Sequence, residues 1–274
     1  MIRRLKNKLF ATLCITTLTL GVVAAPSAFN SVKADAAPTK TVYVDVEKNV
    51  LGEAPILQPV KVTLSDTNTI ADATKQAVGD GNVNIVSSKY GSYVTGFKDT
   101  TDNQSAFTNN YLTDFKTELK TVTKGIVFRT NIPNQPIVTD ANYLSEKECD
   151  GISGWMFTVN NVDHANSTYY DGSTTLANVP DGAAIRWEFS AAAGCDLGLA
   201  GYLPDGTLNQ QYGTYNWNTT ATPAFFSGRA DKTNLIAKMA NHVNKTDTAY
   251  TNALTQLETL QATQDAVNAA ASAL

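Results

Sequence analysis

Along the middle of the chain, Trp155, Phe157 and Val159 alternate with Met156, Thr158 and Asn160, and further on Ile185, Trp187 and Phe189 alternate with Arg186, Glu188 and Ser190. A period of two over six residues predicts a strand with one buried face, so each segment is expected to give its aromatic side to a shared core. Local connections favour antiparallel pairing of the two. Residue 154 then lies opposite residue 190, and Cys149 and Cys195 each follow five residues beyond, at the same end of the hairpin.

The same alternation appears at Thr41 to Glu47, where Val42, Val44 and Val46 interleave with Tyr43, Asp45 and Glu47 and predict a half-buried strand. Gly52 to Pro55 breaks it, and Val60 to Leu64 is the expected returning strand. Thr69 followed by Asp72 has the form of a capping box, after which Ile70, Ala71, Ala73, Ala77 and Val78 fall at helical spacing until Gly79. Shorter strand-like pieces surround Val83, Ile85, Tyr93 and Phe97. The polar run Thr100 to Ser105 reads as a loop. Beyond it Phe107, Tyr111, Leu112, Phe115, Leu119 and Val122 predict an amphipathic helix, and Ile126 to Phe128 a strand. Asn160-Asn161 and Pro180-Asp181-Gly182 are turn signals.

From Ala191 to Thr222 the chain is rich in Gly, Asn and Tyr, and Tyr212, Tyr215 and Trp217 stand among amide side chains. Two readings stay open: a stacking platform for a ligand, or an aromatic-anchored surface loop. After Pro223, Leu235, Ile236, Met239 and Val243, then Tyr250, Leu254, Leu257 and Val267, predict two helices broken at Asn244 to Asp247. The apolar stripe is thin, which suggests a helical hairpin or stalk.

Gly154-Trp155-Met156-Phe157, Val159-Asn160, Asp181-Gly182, Ile185, Trp187, Phe189 and Asp196-Leu197-Gly198 resemble the transcobalamin-like C-terminal domain family, a β-grasp-type module of bacterial surface proteins. The likeness extends with less detail back to about Thr41. Asn161 stands where the family usually has glycine and Ala183 where it has an acidic residue, while residues 100–140 look like an insertion. The resemblance implies an α+β fold: a β-grasp-like sheet with a packed helix and an inserted helix and strand, over residues 37–222. The helical region 223–274 follows.

Composition adds compartment and excludes some chemistry. Arg3, Arg4, Lys6 and Lys8 precede an apolar run from Leu9 to Ala25, and Ala34-Asp35-Ala36 offers a small-x-small cleavage site, so residues 1–36 read as a secretory signal and the mature chain is expected to start at Ala37. Cleavage leaves 16 basic and 24 acidic residues, a net charge of −8. That balance argues against a nucleic-acid surface, which needs a basic patch. No membrane span is expected once the signal is cleaved.

Cys149 and Cys195 are then an even pair in an exported chain, which suggests a disulfide. By loop entropy such a link contributes at most about 4 kcal/mol. Two free buried thiols, or a catalytic thiol with His164 as base, are the competing readings. No metal-ligand spacing, nucleophile elbow or phosphate-binding loop is present, so no catalytic residue, metal or cofactor is assigned.

The leading functional reading is a secreted, non-enzymatic binding or adhesion module of the bacterial cell surface, with an extracellular glycan, peptide or small molecule as ligand. Tyr212, Tyr215 and Trp217 are its candidate binding residues; Trp155, Phe157, Val159, Ile185, Trp187 and Phe189 are expected core. The resemblance implies an alternative, capture of a corrinoid or other small molecule with a separate partner. A second alternative is an extracellular thiol enzyme using Cys149.

Overall fold

The computed structural model describes residues 38–89, 91–101, 103, 106–108, 140–149, 153–162, 170–191, 194–197 and 229–274, all within one compact unit of the chain. Its first sheet opens with β1 (Thr39–Glu47) and β2 (Leu57–Ser65), an antiparallel hairpin. The connection turns at Gly52, whose φ of 70° is left-handed backbone that suits glycine. Helix α1 (Ile70–Val78) follows, and its N-terminus carries the expected capping box: Thr69 Oγ1 accepts from the Asp72 amide at 3.1 Å, and Asp72 Oδ2 accepts from the Thr69 amide at 2.9 Å.

Next come β3 (Val83–Ser88), β4 (Gly91–Lys98) and β5 (Tyr143–Ser145), a separate three-stranded antiparallel sheet in that order. The chain then returns to the first sheet with β6 (Gly154–Val159) and β7 (Ala183–Ser190). These pair antiparallel with Gly154 opposite Ser190 and Trp155 opposite Phe189, the register expected from the alternation. The turn at Asn160 and Asn161 places both at positive φ, 51° and 60°. The four-stranded sheet runs β2-β1-β7-β6, with β1 and β7 parallel at its centre.

Val42, Val44 and Val46 of β1 lie in register with Ala183, Ile185 and Trp187 of β7, and with Trp155, Phe189 and Val159 they form the main core. Phe157 is partly buried against it. Ile70 and Ala73 of α1 close this face together with Val94, Phe97 and Leu144 of the second sheet. Phe97 meets Trp155 edge-on at 4.7 Å between centroids and Trp187 at 5.7 Å, the geometry aromatic quadrupoles favour. The indole N–H groups are satisfied: Trp155 Nε1 donates to the Leu144 carbonyl at 2.9 Å, and Trp187 Nε1 to Thr74 Oγ1 at 3.0 Å.

Two expectations are corrected by the C-terminal region. Three helices stand where two were expected: α2 (Thr233–Asn241), α3 (Thr248–Glu258) and α4 (Gln264–Ala273). The break at Asn244 to Asp247 is present, but Thr263 caps a further helix by accepting from the Ala266 amide at 3.2 Å, so Leu257 and Val267 belong to different helices. Val243 lies outside them and is 97% exposed. Nor do the helices form a stalk. Leu235, Ile236, Met239, Tyr250, Ala253, Leu257, Val267 and Ala271 build a second core that includes Ala184 of β7, with Tyr43 of β1 packed against it. Small residues let a thin stripe seat closely on the sheet.

The helices also overturn the one-faced reading of the central strands. All eight residues of β7 are buried, Arg186, Glu188 and Ser190 included, and so are Asp45 and Glu47 of β1. Alternation places these side chains on the second face, and a separate layer covers it.

Candidate functional site

Where β1 leaves the sheet the chain makes a 3₁₀ turn, Asn49–Leu51, and comes back through Glu53, Ala54, Pro55 and Ile56 to β2. The end of α1 and the end of β4 stand against this connection. Between them lies a groove of about 740 Å³, whose lining includes the apolar Ala54, Pro55, Ile56, Leu57 and Val78 and the polar Asn82, Lys98, Thr100 and Thr101. Its volume is within the range of small-molecule sites.

Lys48, Glu53 and Asp99 also line it. Lys48 is 3% exposed. Its Nζ donates to Asp99 Oδ2 at 2.7 Å and to Asn103 Oδ1 at 3.1 Å, and stands 2.6 Å from Glu53 Oε2. Two acceptors therefore take hydrogen bonds from the ammonium, and Glu53 adds an ion-pair contact. Asp99 is held in turn by the Thr101 amide, which donates to Oδ1 at 3.0 Å, and by Asn103 Nδ2, which donates to Oδ2 at 3.0 Å. Burial works to raise the Asp99 carboxyl, but the bonds from Lys48, Thr101 and Asn103 outweigh it and keep it below the ordinary carboxylate range. Asn103 is fixed by its own turn, its carbonyl accepting from the Ala106 and Phe107 amides.

A second polar assembly lies between the sheet and the C-terminal helices. Arg186 donates from Nε to Glu47 Oε1 and from one terminal nitrogen to Glu47 Oε2, both at 2.7 Å, and also contacts Glu188 at 2.9 Å. Arg229 grips the same Glu188 and donates to Asn161 Oδ1 at 2.7 Å. Burial opposes ionisation of Glu47, yet the adjacent Arg186 overcomes it and brings the carboxyl down to about 2. Asp45 goes the other way: complete burial first, then the neighbouring Glu47 charge, push it well above the carboxylate range. Lys232 donates to the Leu257 and Thr259 carbonyls at 2.6 and 2.9 Å, satisfying the end of α3, and burial together with the Arg186 charge draws it down to about 8. Arg186, Arg229, Glu47 and Glu188 bind one another across this layer.

Among the described residues, Cys149, singled out in the sequence, is not part of the groove lining. Cys149 is half-buried with its amide donating to Ser153 Oγ at 3.1 Å, and Cys195 begins a 3₁₀ turn after β7, its side chain outside the described residues. Tyr212, Tyr215, Trp217 and His164 lie outside the described residues, as does the helix expected after Phe107. Phe107 itself stacks on Phe189 with centroids 6.3 Å apart. Lys48, Asp99 and Asn103 carried no sequence signal: Asp99 and Asn103 fall in or beside a polar run that reads as loop, and Lys48 simply ends a strand.

Among the described residues no group of His, Cys, Asp and Glu is arranged to hold a metal ion, and no helix is long and apolar enough to cross a membrane. Comparison with protein-family models, with curated proteins and with solved structures returns no match.

Proposed function

We propose that the protein is an exported, non-enzymatic binding module of the bacterial cell surface, and that its ligand lies in the groove beside the β1–β2 connection. The observation that carries this reading is the groove itself: its lining combines the aliphatic Ala54 to Leu57 with hydroxyl and amide groups, and the charge of Lys48, which also lines it, is already matched by Glu53 and Asp99. Such a lining suits a neutral ligand with both apolar faces and hydroxyl or amide groups, a glycan or a peptide. A strongly charged ligand would have to displace a buried ion pair. The β2-β1-β7-β6 order with a parallel central pair and a helix across one face supports a β-grasp-type scaffold, in keeping with the resemblance.

The test is a binding screen of the mature protein against glycans, peptidoglycan fragments and matrix peptides, repeated with Ala54→Trp. Ala54 is exposed at the rim, so a large ring there fills the groove without entering the core. Binding that disappears in this variant at an unchanged melting temperature supports the reading. Binding that survives removes the groove as the site, and selective binding of cobalamin favours the corrinoid alternative.

A further inference from the structure

Lys48 and Asp99, which line the groove, and Asn103, bonded to both, have the composition and spacing for a reaction among themselves. The Lys48 amine nitrogen is 3.1 Å from the side-chain carbonyl oxygen of Asn103. One carboxylate oxygen, Asp99 Oδ2, touches both nitrogens that such a reaction exchanges: it accepts from Lys48 Nζ at 2.7 Å and from Asn103 Nδ2 at 3.0 Å. All three are shielded, with Lys48 3% exposed, Asn103 6% and the Asp99 side chain 7%. We propose that Lys48 and Asn103 join in an intramolecular amide bond, with Asp99 carrying the proton between them and ammonia leaving.

The chemistry balances without an oxidant or cofactor. Asp99 takes one proton from the Lys48 ammonium, and the freed amine attacks the Asn103 side-chain carbonyl carbon, forming the Nζ–Cγ bond. Asp99 passes that proton to Nδ2, the Cγ–Nδ2 bond breaks, and ammonia departs. The new amide nitrogen then gives up its surplus proton to the ammonia, which leaves as ammonium, and Asp99 is again a carboxylate. Between free side chains this exchange is slow; here the amine, the carboxamide and the proton carrier are held by fold, which makes the step unimolecular. Glu53, 2.6 Å from Nζ, helps fix the amine. Shielding from water also protects the product from hydrolysis.

The bond would tie the end of β1 to the segment that follows β4, across 55 residues of chain. It does not depend on a ligand in the groove.

The test is the intact mass of the folded full chain after export, measured denatured and reduced, with the N-terminus sequenced to fix the reference mass. The expected result is a chain lighter than its sequence by one ammonia, with a branched peptide joining Lys48 to Asn103 after digestion. Lys48→Arg and Asn103→Ala are expected to keep the full sequence mass, and Asp99→Asn to slow the ammonia loss by about 10²-fold or more. A wild-type chain at its sequence mass, ammonia loss that maps elsewhere, or conversion of Asn103 to Asp by water overturns the proposal. Should a variant fail to fold, the wild-type peptide map decides alone. Because the mass is read on ligand-free protein, its outcome is separable from that of the groove-filling variant.

Discussion

Asp45 and Glu47, two positions apart on β1, are both fully buried in the layer between the sheet and the C-terminal helices, yet their carboxyls are pushed in opposite directions, Asp45 above the ordinary carboxylate range and Glu47 below it. Two buried carboxyls side by side do not both carry charge. Arg186 selects which one does, by binding Glu47 through two nitrogens. Glu188, Arg229 and Lys232 complete the surroundings.

Opposite pH dependences follow from the two carboxyls. Glu47 is lowered from 4.5 to about 2, so the stability it contributes is present above 4.5 and is lost as pH falls toward 2. Asp45 is raised above 3.8, so its contribution is present below 3.8 and is lost as pH rises through its folded value. Asp45→Asn keeps the size of the side chain and removes the second titration. Melting temperatures across the pH range are expected to show the variant gaining on the wild type as pH rises, and parallel curves would refute the upward shift of Asp45.

Arg186→Met is expected to destabilise the protein by about 3–5 kcal/mol, because Glu47 loses its partner while remaining buried. The double variant Arg186→Met with Glu47→Met should recover much of that loss, since both charges are gone and the volume is kept. Chemical denaturation of the two variants decides it: a double variant no more stable than the single one means the pair itself supplies the stability.

Trp155→Ala and Trp187→Ala are each expected to cost about 3–5 kcal/mol, the usual range for a large aromatic in a core. Trp187 is 2% exposed and bonded to α1 through Thr74, and Trp155 is bonded to β5 through Leu144. Wild-type melting temperatures would mean that neither ring supports the core.

The cysteine pair yields a further prediction from strand register. With Gly154 opposite Ser190, Cys149 and Cys195 lie equally far beyond one end of β6 and β7. We propose that they form a disulfide, and alkylation of the unfolded, unreduced mature protein is expected to label neither. Labelling of both cysteines counts against the bond and returns the thiol readings to consideration.

Local signals in the sequence reached far into this fold. The capping box at Thr69 and Asp72, the turns at Asn160-Asn161 and Pro180-Asp181-Gly182, and the register of β6 on β7 each depend on residues a few positions apart or joined by one hairpin. Side-chain period and turn chemistry determine such features before any tertiary contact forms. The second face of the central strands was not legible in this way. Arg186, Glu188, Asp45 and Glu47 read as solvent-facing, because alternation reports that a face differs from its neighbour and says nothing of what covers it. Only the parallel pairing of β1 with β7 brings Arg186 to Glu47 across 139 residues, and only the packing of α2, α3 and α4 removes both from water. The groove and the cluster of Lys48, Asp99 and Asn103 were decided in the same manner. They join the ends of two strands in different sheets to a polar run whose composition by itself specifies a loop, and contacts of that range arise from chain topology and burial, which no local spacing encodes.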